Sequence, residues 1–370
     1  MTSGQHDSGF LSLGQATART IALRSAAAGR LQRTLLVHGP AGAGKGAFVD
    51  DLLALLFCTE ARVADRPCNA CRGCRDARAR AHPDLVIGSP EGWREDRSTG
   101  ESIVAVARRW LLESAGAPIA SERRVALIDG VDRASEQTQN VLLKALEEPN
   151  GRQMFILVAN DPSRLLPTIR SRCQALRIGA VPRAELVEWL IAHERVPADD
   201  ADALSRLAEG MAGTAIGFAR EPARVEWRRR TQRELLTLLE RGLADRFASV
   251  RDLIDEGTRQ AAPAAESRDD AVEGEAVRTP AGAQRQAALL ILDAWLGLAR
   301  DLIVSAADRP DMAPTTALLP ESGALAARLD AAQLRRFIAL LERIREGLVQ
   351  NAAPRLAMEV AMLSWPRLNP

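Results

Sequence analysis

Gly39-Pro40-Ala41-Gly42-Ala43-Gly44-Lys45-Gly46 follows the apolar run Thr34-Leu35-Leu36-Val37-His38 and opens a helical pattern that continues to Phe57. A strand, a glycine-rich turn and a helix in that order make a phosphate cradle. The glycines let backbone N–H groups face an anion, and the helix N-terminus adds partial positive charge. The spacing fits G-x-x-x-x-G-K-[ST] through the lysine and fails at the last position. A hydroxyl residue there would hold Mg²⁺; Gly46 has none to offer. Lys45 and Lys144 are the only lysines among 49 basic residues. A compact ammonium suits the loop position as a point charge.

Outward from the loop, short apolar runs alternate with helical patterns. Strand-like runs lie at 34–38, 84–87, 124–128, 154–158 and 175–178, with helical patterns near 45–57, 101–114, 135–147 and 163–170. Such alternation predicts an α/β domain, a parallel sheet covered by helices on both faces. After Val181-Pro182 the strand signals stop. Three short helices are expected over 183–225, and from 226 the chain reads as all-α, with helices at 286–307, 331–350 and 355–364. The stretch 256–285 has no period and almost no bulky apolar residue, so it reads as a mobile loop. The expected domains are 1–180, with an insertion at 58–74, then 181–225 and 226–370.

A second phosphate-site element lies in Val125-Ala126-Leu127-Ile128-Asp129-Gly130-Val131-Asp132. An apolar strand ending in Asp resembles a Walker B element, in which Asp129 could reach Mg²⁺ through water. A working ATPase of this type places Glu next, to polarise the attacking water; here the residue is Gly130. Loss of metal positioning and loss of a base, the latter commonly worth ~10²–10⁴-fold, each make turnover by this chain negligible.

Five cysteines occur, and Cys58, Cys68, Cys71 and Cys74 cluster. Four thiolates at this spacing can close a tetrahedron around Zn²⁺, a structural site with no open position. Gly73 is expected to permit a sharp turn between the last two ligands. His82 could replace one thiol, although four make that unnecessary. Inert cysteines or a redox pair would be the plainer reading.

The composition narrows the function classes. A formal net charge of +1 gives no global field toward nucleic acid, and an aromatic fraction of 4% leaves no stacking strip. No apolar run reaches membrane-spanning length, because Leu289 to Val304 is broken by Asp293, Arg300 and Asp301. The N-terminus has no basic segment followed by an apolar run, so no signal peptide is expected and the cytoplasm is the expected location.

Leu142–Pro149 carries an apolar helical face stopped by Pro149, and Ser171-Arg172-Cys173 lies between the helix near 163–170 and the last strand. Taken with the loop and the cysteine cluster, in this order, these segments resemble bacterial clamp-loader subunits of the AAA+ class, which serve DNA polymerase III in replication. Asn351-Ala352-Ala353-Pro354-Arg355-Leu356 looks like a stretch of that family's last helix. The resemblance implies an AAA+ sheet, a helical lid at 181–225 and a C-terminal helical collar at 226–370. It also implies partners: motor subunits called gamma or tau and a delta subunit, joined in a hetero-pentamer, with the sliding clamp and primed DNA engaged through the complex. Motor members keep the Ser/Thr, the Glu and a lid arginine; this chain has Gly46, Gly130 and Gly217 at the aligned positions. Arg172 is retained, which implies an arginine finger reaching the ATP of a neighbouring motor subunit. Gly39, Gly44, Lys45 and Asp129 would then be a vestigial nucleotide site, and Lys45 keeps ATP binding open. The chain would belong to a polymerase holoenzyme without being catalytic in isolation. The competing readings are a hydrolysing motor subunit and a zinc-containing nucleic-acid-binding module.

Overall fold

The computed structural model describes residues 9–98, 100–264, 280–307, 319, 321–349 and 352–368. The chain divides into two compact units, Met1–Trp189 with Ala208–Thr214, and Leu190–Leu207 with Ala215–Pro370.

The first unit is built on a five-stranded parallel sheet: β1 (Thr34–His38), β2 (Leu85–Gly88), β3 (Arg124–Ile128), β4 (Gln153–Ala159) and β5 (Gln174–Arg177), in the order β2-β3-β4-β1-β5. The register sets Leu36 against Leu157 and Ala175, and Leu127 against Ile156 and Ile87. Every residue of β4 is buried. That is why this run carries no polar alternation: a parallel strand covered on both faces has nowhere to show a polar side chain. On one face the sheet packs Leu35 and Val37 with Phe48, Leu52 and Leu53 of the helix Lys45–Phe57. On the other, Leu36, Phe155 and Leu157 meet Trp110 of the helix Ile103–Ser114 and Leu142 of the helix Glu136–Glu147. Ser102 and Ser135 cap these two helices by accepting from Ala105 N–H and Thr138 N–H.

The sheet places the functional loops. β4 lies between β1 and β3. The glycine loop after β1 and Asp129 after β3 therefore both leave the carboxyl edge, where open parallel sheets hold ligands. The stretch expected as one helix over 163–170 is instead a 3₁₀ turn, Pro162–Arg164, and one helical turn, Pro167–Arg170. Proline at the start of each breaks the run. The helices Ala16–Ala27 and Pro90–Glu95 had no sequence expectation.

In the second unit the helices Pro222–Thr237, Leu243–Ala264, Pro280–Ala306, Ala331–Val349 and Pro354–Ser364 share one core containing Trp227, Trp295, Phe337, Met358 and Trp365. Both ends of the stretch expected as a loop are helical, up to Ala264 and from Pro280; its middle, 265–279, lies outside the described residues. Gly257 packs closely: a Cβ there would stand 3.0 Å from Ala287 Cβ. Arg246, buried among these helices, donates to Met362 O (3.1 Å), Trp365 O (2.7 Å) and Pro366 O (2.8 Å). It thereby ties down the end of the last helix. The apolar faces at Leu289–Leu302 and Leu334–Leu348 are spent largely inside this core.

Candidate functional site

The glycine loop is held in a conformation that only glycine takes easily. Gly42 and Gly44 have φ of 75° and 92°. A side chain at Gly39 would put its Cβ 1.9 Å from Ile178 O, and one at Gly42 would lie 2.0 Å from Thr214 Oγ1. Gly42 O accepts from Gly213 N–H (2.8 Å) and Thr214 N–H (3.2 Å), which braces the crest of the loop. Lys45 Nζ folds over the loop and donates to Gly39 O (2.9 Å) and Pro40 O (2.8 Å). Gly39, Gly44 and Lys45 thus lie together in one tightly turned loop.

Asp129 stands at the end of β3, and its Oδ1 is buried without a hydrogen-bond partner. Burial pushes its carboxyl above the usual carboxylate range, against the downward pull of Arg133, Arg80 and Lys45. Gly130 has φ of 65°, and a Cβ there would lie 2.1 Å from Arg133 Nη2. Asp132 is no substitute base: its Oδ2 accepts from Asn160 N–H (3.1 Å) and Asp161 N–H (3.0 Å) and fixes the turn after β4. Magnesium does not fit these residues. Position 46 supplies no oxygen, and the charges of Arg133, Arg80 and Lys45 already act on the carboxylate that remains. Arg80 and Arg133 carry no local motif signal; only the fold brings Arg80 beside Gly46 and folds Arg133 over Gly130.

The four cysteines do converge. Their Sγ atoms all lie within 4.8 Å of one another, and Cys71 Sγ is 4.0 Å from Cys58 Sγ. Thiolates around one Zn²⁺ stand about 3.8 Å apart, so the donor set fits that ion. Backbone N–H groups already point at the sulfurs: Cys68 N–H at Cys58, Cys71 N–H at Cys68, Cys74 N–H at Cys71. Burial pushes Cys58 and Cys74 up. At Cys71, burial is outweighed by donors from Thr59 and Cys74, which bring the thiol down to about 6. His82 stacks on Phe57 at 3.8 Å and accepts from Asp84 N–H, outside the cluster. Gly73 corrects the expected turn. It lies inside the helix Arg72–Arg78 and is required by close approach, since its Cβ would meet Phe57 O at 2.0 Å.

Arg172 follows the short helix Pro167–Arg170 at the sheet margin. Its Nη2 pairs with Glu147 Oε1 at 2.7 Å, with both side chains more than a third exposed, and its Nη1 donates to Thr168 O. Glu147 ends the helix Glu136–Glu147. Burial pushes the neighbouring Cys173 thiol to about 12, which leaves it unreactive. Gly217, in the helix Ala212–Arg220, has Arg224 Nη1 3.2 Å from where a Cβ would stand.

Residues 14–182 match the family model described as DNA polymerase III, delta subunit. A relative from Pseudomonas aeruginosa called DNA polymerase III subunit delta′ is 32% identical over 197 residues, 53% of this chain and 58% of its own length. One from Escherichia coli called DNA polymerase III subunit tau is 30% identical over 204 residues, 55% of this chain and 30% of its own length. A solved gamma subunit-related protein from Thermotoga maritima aligns with TM-score 0.42 at 15% identity, covering 94% of this chain and 97% of that one. The chain spans little more than half the length of the curated delta′ relative. Among the described residues, no helix is long and apolar enough to cross a membrane. Through its phosphate-loop half the chain thus resembles DNA polymerase III subunit delta′, and residues 14–182 are similar to the family model described as DNA polymerase III, delta subunit.

Proposed function

We propose that this chain is a delta′-type subunit of a clamp loader, which hydrolyses no ATP itself and lends Arg172 to the ATP site of a neighbouring motor subunit. The observation that carries the reading is a contrast. The chain lacks the hydroxyl and the glutamate of a working site, whereas Arg172 is exposed at the margin and held by a surface ion pair and one hydrogen bond to Thr168 O. Such a pair is worth roughly 0–1 kcal/mol, so exchanging Glu147 for a γ-phosphate costs little. A guanidinium that meets the transferring phosphoryl stabilises its developing charge.

The partners in this reading are gamma or tau and delta subunits in a hetero-pentamer, with the sliding clamp and primed DNA reached through the complex, in the cytoplasm. The domain reading of a nucleotide-type domain, a lid and a collar belongs to the same proposal. Support for a collar interface comes from the last helix: Leu356, Val360 and Leu363, at helical spacing, are 63%, 39% and 59% exposed. Zinc at Cys58, Cys68, Cys71 and Cys74 is structural in this reading.

The test is reconstitution with purified motor and delta subunits. Arg172→Ala should assemble normally yet lower DNA-stimulated ATP turnover by about tenfold or more, and Leu356→Asp should impair assembly itself. Unchanged turnover with Arg172→Ala in an intact complex would reject the finger.

A further inference from the structure

The two glycines that break the phosphate-site motifs do not leave empty space. A Cβ at Gly46 would stand 3.5 Å from Arg80 Nη2, so the room that a Ser or Thr side chain would enter borders a guanidinium. Arg80 lies just past the helix Arg72–Arg78 with a left-handed φ of 53°. Its Nε is fixed by Asp50 Oδ1 at 2.9 Å. Asp50 belongs to the same helix that Lys45 opens. Arg133 fills the place of a side chain at Gly130 and is itself held by Glu91 Oε2 at 3.0 Å. Asp129 keeps one buried oxygen without a donor. Arg133, Arg80 and Lys45 are the side-chain cations that act on its charge.

The cations around Asp129 are therefore covalently part of the chain. A divalent ion entering the same space would meet their repulsion and find no hydroxyl ligand at position 46. We propose that Arg80 stands in for the divalent metal in this site: magnesium is shut out, and a nucleoside triphosphate meets the glycine loop bare, against Lys45 and Arg80. Arg80 is suited to the exchange because a guanidinium offers several N–H donors to phosphate oxygens and never loses its charge. Arg133 guards the base position, so a bound triphosphate has neither an activated water nor a metal and stays intact. This site belongs to the isolated chain and does not depend on the role of Arg172.

The test is equilibrium binding of a fluorescent ATP analogue to the full purified chain, in excess magnesium and in EDTA. The proposal expects binding in EDTA, and binding in magnesium that is no tighter. Arg80→Gln should weaken the EDTA affinity about tenfold or more, and Arg80→Lys should restore most of it. Lys45→Ala probes the loop from the other side without disturbing the Arg80–Asp50 pair, and should weaken binding similarly; zinc content and melting temperature report that each variant is folded. Pairing Gly46→Ser with Arg80→Gln should make the residual binding stronger in magnesium than in EDTA. No binding in EDTA, binding that requires magnesium, or a folded Arg80→Gln with unchanged affinity would each overturn the proposal.

Discussion

At Gly130 a side chain meets two obstacles: a left-handed backbone, costing about 1 kcal/mol for a residue other than glycine, and the Arg133 guanidinium 2.1 Å from the Cβ position. Gly130→Glu, which rebuilds the motif on paper, should lower the melting temperature and leave the chain without ATPase. A thermal melt beside a phosphate-release assay checks both. Asp84 offers a pH test. Its buried carboxylate resists the upward push of burial by accepting from Ile119, Ala120 and Ser121 N–H and from Ser121 Oγ, and ends below the usual range. A depressed carboxyl stabilises the fold above its unfolded value and loses that contribution as pH falls through about 4. Asp84→Asn should cost about 2–3 kcal/mol near pH 7, and its deficit should shrink below pH 4, as read from melts across pH. The glycines and Lys45 were legible as letters because a phosphate loop is local. The arginines beside Gly46 and Gly130 were not. Arg80 reaches Gly46 only through the helix Arg72–Arg78, and Arg133 folds over Gly130 only through the 3₁₀ turn Val131–Arg133.

Among elements, the strands of the first unit were the most legible. A parallel strand buried on both faces reads as an unbroken apolar run, as Gln153–Ala159 does from Met154 onward. The helical ends at 256–264 and 280–285 escaped because their sequence shows no bulky apolar stripe; Gly257, close against Ala287, is one such small position. The helix Ala16–Ala27 escaped for a related reason: only Ala18 and Ala22 are its fully buried residues, so it shows no large apolar face. The cysteine insertion was legible as a ligand set, but the need for Gly73 was not, because the conflict is with Phe57 O at the end of another helix. Cys71→Ser should remove one equivalent of zinc by elemental analysis. It should also lower the melting temperature by about 5–10 °C if losing the metal clip costs about 3 kcal/mol. A wild-type chain purified without zinc, or a variant that keeps it, would contradict the metal assignment.

For the whole molecule, the order of parts along the chain could be read before the geometry. A phosphate loop, a cysteine insertion, a retained Arg172 and a helical second half are all visible in sequence. Which apolar faces remain free is not, since periodicity marks a face for burial without saying what buries it. Leu334, Phe337 and Leu341 turn inward within one unit, whereas Leu356 and Leu363 stay exposed. The account rests on a division of labour in which this chain supplies a guanidinium and another subunit supplies metal, base and ATP. Its most direct test is magnesium-dependent phosphate release by the purified chain alone, compared with the same chain added to motor and delta subunits. The account predicts release at the level of the buffer blank for the chain alone, and turnover in the mixture that falls when Arg172 is replaced. Sustained magnesium-requiring hydrolysis by the solitary chain, at the ~1 s⁻¹ or more typical of working enzymes, would contradict it.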